Sequence, residues 1–328
     1  MLARMSAGFC SVCGAVLRDG VCPNGHPQRA HRSLHHRRRR RGLWTLLVLF
    51  LLVSAGAYAG LVWYPERAAA DLMEGPSRAF EASLGAYRTT VSAFPPGATD
   101  PQALVDGCNA VLTTSGPTRD QLGADTIELE RQGPPDVPVV SSRPPLQQAR
   151  ELRDVMLDFN TMAQEALGRL EAVCGYVTQV AEVLPQLDTL GTTLADPRDL
   201  GAIRASVAAA TPIAEQLLAD LRALAPPPEL GGLHSGLQAI ARRIRADLDE
   251  IDRTAQAGAA PVVRALLGDI RSSFDTFRET LGTAPQEAGA AGLATALEEV
   301  EGLAQQIVEG LRALREVHGL TGLSVPER

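Results

Sequence analysis

Three cysteines and a histidine near the N-terminus carry the clearest chemistry in this sequence. In the segment FCSVCGAVLRDGVCPNGHP, Cys10 and Cys13 are two residues apart, eight residues follow, and three separate Cys22 from His26. Thiolate and imidazole are the ligands Zn²⁺ prefers, and these four complete a tetrahedral set. A closed set leaves no position for water, so the expected role is structural rather than catalytic. Gly14 permits the tight backbone after the first pair. Asp19-Gly20 reads as a hairpin turn that brings the second pair back. His31 is an alternative fourth ligand, and a reduced, metal-free cysteine cluster is the alternative to a metal site. A segment this short cannot bury a useful apolar core, so metal binding is expected to supply its folding energy.

Residues 9–27 resemble the short zinc ribbons at the N-termini of many bacterial membrane proteins. The resemblance implies a structural zinc ion held by Cys10, Cys13, Cys22 and His26. It departs from the usual two Cys-x2-Cys pairs, because His26 stands in for a cysteine and sits one residue further from Cys22. The layout is also similar to that of zinc-containing anti-sigma factors, in which the order of cysteine and histidine differs.

The head is expected at residues 1–30, followed by a basic segment at 31–42 and an apolar one at 43–64. From Leu43 to Tyr64 no residue is charged. A helix of that length spans about 33 Å, enough for a bilayer core of about 30 Å. Trp44 stands at one end, and Trp63 and Tyr64 at the other, where amphipathic rings favour the headgroup level. Pro65 is expected to end the helix. Arg37, Arg38, Arg39, Arg40 and Arg41 precede the span, so the positive-inside bias places the N-terminus in the cytoplasm and the remainder outside. A cleavable signal peptide is the competing reading, with Ala57-Tyr58-Ala59 as its cleavage site. Against it stand the long preceding region and the apolar run that continues to Trp63. Gly56 and Gly60 form a GxxxG pair that would let two such helices dimerise. The five arginines set topology and can meet anionic lipid. Nucleic acid is a weaker expectation, because no aromatic residues are interleaved to stack on bases.

Charge divides the chain in the same way. Residues 1–42 hold nine arginines and one acid, Asp19, whereas residues 65–328 hold 22 arginines and 37 acids. The net charge of −7 therefore describes a basic head on an acidic body. Every basic residue is arginine, a codon bias typical of a GC-rich bacterial genome.

The body reads as all-α. Aromatics are 4% of the chain and strand-forming runs are scarce, so its core must be built from small aliphatic side chains that suit helix-on-helix packing. Leu152, Met156, Phe159, Ala163, Ala166, Leu170, Val173, Val177, Val180, Leu184 and Leu187 step by four and three, with Pro185 kinking the end. Further stripes run from Ile203 to Leu224, Leu230 to Ile251, Val263 to Leu281, and Leu293 to Leu314. Thr211-Pro212 is read as a possible fresh helix start. An elongated antiparallel bundle over 147–328 with coiled-coil-like packing is the expected architecture. Residues 65–146 are expected to hold membrane-proximal helices at 66–93 and 101–114. A Pro-rich irregular stretch over 115–146 should follow, with at most a short helix from Arg119 to Arg131.

Cys108 and Cys174 are the remaining cysteines. In an oxidising compartment they would tend to pair, closing a loop of about 66 residues, or else remain as buried thiols. No catalytic triad or second metal set is visible, so a hydrolase is disfavoured. His234 reads as a polar contact between helices, and Glu298, Glu299 and Glu301 as solvated surface. The segment PPPELGGLHSGL around His234 resembles helical bacterial envelope proteins, too briefly to imply a function. The expected protein is a non-enzymatic, membrane-anchored envelope protein whose exported domain binds a protein partner or serves as a scaffold or sensor input. The alternative is a tethered regulator whose zinc head binds nucleic acid or a cytosolic protein.

Overall fold

A computed structural model describes residues 8–10, 12–18, 21–26, 34–95, 100–131, 143–195 and 199–326. Asp19-Gly20, His31 and the proline-rich 132–142 stretch lie outside the described residues, as do the side chains of 34–43 and hence those of Arg37 to Arg41. Among the described residues the chain is all-α, apart from two isolated antiparallel bridges in the head, Phe9 with Val16 and Arg18 with Val21. The chain divides into two compact units, Met1–Trp63 and Tyr64–Arg328.

The first unit contains helix α1, Leu34–Tyr58, followed by a widened turn at Ala59–Trp63. From Trp44 onward this helix is long and apolar enough to cross a membrane, with a stretch of mean hydropathy 2.2 and no buried side chain. Helical residues continue without a break into α2, Tyr64–Ala93, so Pro65 does not end the helix as expected. The correction has a simple physical basis. Proline lacks a donor and its ring crowds the preceding turn, but just after the widened turn it stands at the start of a new α-segment, where the missing N–H costs little.

The second unit is built from α2, α3 (Pro101–Arg131), α4 (Pro144–Ala181), α5 (Leu184–Thr193), α6 (Leu200–Ala223), α7 (Gly231–Gln256), α8 (Ala260–Gly282), the short α9 (Ala284–Ala288) and α10 (Ala294–Val317). Its buried side chains form two hydrophobic clusters. One joins α2, the second half of α3, the first half of α4, and α10. The other joins the first half of α3, the second half of α4, and α5 to α8. Helix α4 belongs to both, its stripe passing from one cluster to the other between Leu167 and Leu170. Segments 65–146 and 147–328 therefore share their cores.

Three details differ from the sequence reading. Helix α3 runs unbroken to Arg131 through Pro117, where an irregular stretch from 115 was expected. Helix α6 likewise runs through Pro212 instead of starting there. Pro185 does not kink the end of the long helix: α4 stops at Ala181, and Pro185 lies in the first turn of α5, where no intrahelical donor is required. Gly292, just ahead of the last stripe, has a φ of 97° that is open to glycine at little cost.

Candidate metal centre

The head forms two short turns that face each other. In the first, the N–H of Gly14 donates to the Cys10 carbonyl at 3.0 Å, and Gly14 adopts φ 69°. In the second, the N–H of Gly25 donates to the Cys22 carbonyl at 3.0 Å, with Gly25 at φ 71°. A side chain at either glycine would strain the backbone, so glycine closes both turns. Cross-links from Leu17 N–H to Gly8 O at 2.8 Å and Cys10 N–H to Ala15 O at 2.8 Å hold the first turn to the chain that follows it.

These turns bring Cys10, Cys13, Cys22 and His26 together, with their ligand atoms all within 4.8 Å of one another. The Cys13 and Cys22 sulfurs are 3.5 Å apart, and Cys22 Sγ is 3.6 Å from His26 Nδ1. A tetrahedral ion with bonds of about 2.0–2.3 Å needs edges of roughly 3.5–3.8 Å, so the set fits a metal ion. Backbone N–H groups of Val12 and Cys13 stabilise the Cys10 thiolate and bring its pKa down to about 6. Burial pushes the Cys22 thiol up, partly offset by backbone donors at Asn24 and His26. Among the described head residues only Cys10 and Cys22 are buried, while Phe9, Val12, Val16 and Val21 are exposed. The head thus has ligands at its centre where a larger domain would have a core.

Sequence reasoning missed Asn24, whose side-chain amide donates to Cys13 Sγ at 3.7 Å. Such a contact orients a ligand from outside the coordination set. The signal was present: Pro23-Asn24-Gly25 is turn chemistry placed between the last two ligands.

The other singled-out residues fall as follows. Cys108 on α3 and Cys174 on α4 are both fully buried in the same cluster and are free thiols. The Cys174 thiol is pushed well up by the neighbouring Cys108 and by burial. Gly56 lies in α1 and Gly60 in the widened turn, each with open space where a Cβ would stand. Arg37 to Arg41 lie within α1. His234 bridges helices: Tyr176 Oη of α4 is 2.9 Å from its Nδ1, and Gln238 Nε2 is 2.8 Å from its Nε2. Glu298 and Glu299 are exposed, whereas Glu301 pairs with Arg88 of α2. No family model, curated protein or solved structure matches this chain.

Proposed function

We propose that the protein is a single-pass membrane anchor. A zinc-stabilised head lies in the cytoplasm, one helix crosses the bilayer, and a non-enzymatic helical body outside binds a partner protein. The observation that carries this reading is the surface of α1. Leu46, Phe50, Leu52 and Val53 are each at least 63% exposed, with none of the described residues covering them, and lipid is the solvent in which such a surface is stable. The arginines at 37–41 favour retention of the N-terminal end on the cytoplasmic side. Zinc is favoured over other ions by the S₃N donor set and its near-tetrahedral spacing.

The body suits an elongated antiparallel bundle with coiled-coil-like seams, in view of its four-and-three stripes and short connections. Outside the cytoplasm, Cys108 and Cys174 pass two electrons and two protons to the disulfide of an exported dithiol oxidase. One intramolecular bond results, and the oxidase is left as a dithiol. The exposed backbone of Gly56 and Gly60 suits close approach of a second copy.

A second reading is supported by one observation. Phe9, Val12, Val16 and Val21 form exposed apolar surface on a head with no core of its own, which suits docking to a cytosolic protein. The deciding experiment is protease treatment of right-side-out membrane vesicles carrying N- and C-terminally tagged protein. The C-terminal tag should be lost and the N-terminal tag kept. A protected C-terminal tag would overturn the topology.

A further inference from the structure

The body contains a cleft of about 160 Å³ between α2, α3 and α4. Its walls are apolar: Pro76 and Phe80 from α2, Leu129 from α3, and Met156 from α4. Three polar side chains converge on it, Asp125, Glu128 and Asn160. The volume is close to that of engineered cavities of roughly 150 Å³ that take up benzene.

Asn160 is the unusual member. It is 3% exposed and makes no hydrogen bond to another side chain or to the backbone among the described residues, although its amide can donate twice and accept twice. Asn160 directly follows the core residue Phe159 and lines the cleft, so its unsatisfied atoms are available to whatever enters.

The carboxylates set the charge preference. The buried Ser83 hydroxyl donates to Asp125 Oδ2, which fixes that carboxylate, and no arginine pairs with Asp125 among the described residues. Glu128 stands at the rim, with Arg131 3.8 Å away. The cleft therefore offers an oriented negative charge and an open amide above an aromatic and aliphatic floor. Phe80 adds an aromatic ring to the lining, and such rings attract cations.

We propose that this cleft binds a small cationic amphiphile, an ammonium group on an aryl or short alkyl body. The ammonium pairs with Asp125 and donates to the Asn160 carbonyl oxygen, while the apolar part lies between Phe80, Leu129 and Met156. The proposal does not depend on which side of the membrane the body occupies, so it stands or falls separately from the topology.

The test uses the full chain in detergent, titrated with phenethylamine, 2-phenylethanol and phenylacetate and followed by saturation-transfer NMR and thermal melting. Phenethylamine should bind at least tenfold tighter than the alcohol, and phenylacetate should not bind. Asn160→Leu should abolish amine binding while the protein still melts cooperatively. Asp125→Asn, which keeps an acceptor for Ser83, should weaken amine binding about tenfold and leave alcohol binding unchanged. Equal binding of amine and alcohol that is indifferent to Asp125→Asn would overturn the proposal. So would the absence of binding by every probe together with a higher melting temperature for Asn160→Leu, because the cleft would then be a packing defect.

Discussion

The head and the body reach a defined structure by opposite means. In the head, Phe9, Val12, Val16 and Val21 are exposed and only two cysteines are buried, so what organises the chain is the convergence of four ligand atoms. In the body, two continuous apolar clusters organise nine helices among the described residues, and no comparable set of ligating side chains is needed. The difference teaches that chemistry is most legible where there is too little chain to hide it. Four residues of particular types within seventeen positions leave few alternatives, whereas a large aliphatic interior can serve many purposes equally well.

The contrast breaks most directly on metal removal. Chelation, or Cys22→Ser, should unfold the head and leave the body's melting transition unchanged, since a structural zinc site contributes on the order of 10 kcal/mol to a small domain. Amide exchange resolved by segment would check this, and a body that melts with the head would erase the distinction.

The next effect in size concerns Cys108 and Cys174. If they are oxidised outside the cell, Cys108→Ser should lower the body's stability by about 4 kcal/mol in denaturant titration under non-reducing conditions. No loss beyond that seen in reductant would mean that the pair stays as thiols.

Smaller changes probe how tightly the body is packed. A Cβ at Gly107 would lie 2.5 Å from the Pro95 ring and 2.8 Å from the Ala93 carbonyl, both stiff neighbours. At Gly310 the nearest atom is the end of Leu152 at 2.7 Å, which can rotate away. Gly107→Ala should therefore cost more than Gly310→Ala, within about 1–3 kcal/mol, as read from denaturant midpoints.

The smallest effect is a pH dependence confined to the body. Burial lowers the pKa of His234, so the folded state favours its neutral form. Its contribution to stability is complete above the unfolded value of about 6.5 and is lost as pH falls towards the lower folded value. His234→Gln should flatten the acid limb of a plot of midpoint against pH. An unchanged slope would show that His234 does not titrate with folding.

How far the sequence could be read depended on which side chains fill the interior. The stripe from Leu152 to Val180 is buried as its spacing predicts, because large aliphatic residues recur on one helical face. The unbroken run of α3 through Pro117, beyond the short helix expected from Arg119 to Arg131, escapes the pattern for the converse reason. Its inward face carries Ser115 and Thr118 as well as Leu122 and Leu129, and it meets polar residues of α2: Thr90 Oγ1 lies 3.2 Å from Thr118 Oγ1, and Ser83 reaches Asp125. A buried stripe made partly of hydroxyls does not register as hydrophobic periodicity. Pro117 and Pro212 misled for a related reason: an interior proline costs a helix about 3 kcal/mol, which tertiary burial can outweigh and local propensity cannot reveal. The cluster of Cys10, Cys13, Cys22 and His26 was legible because the residue types themselves carry the chemistry. Asn160 was not, since an asparagine gains significance only when its surroundings leave it without a partner.

The course of α4 through both clusters constrains how this protein can have been assembled and how it can change. Neither half of the body is a transferable module. A recombination breakpoint near Leu167 would give each parent gene half of a helix whose packing partners it lacks. Inheritance should therefore keep Tyr64 to the C-terminus as one block. The natural seams for gene fusion or domain exchange lie on the other side of Tyr64, where residues 1–63 form a compact unit of their own.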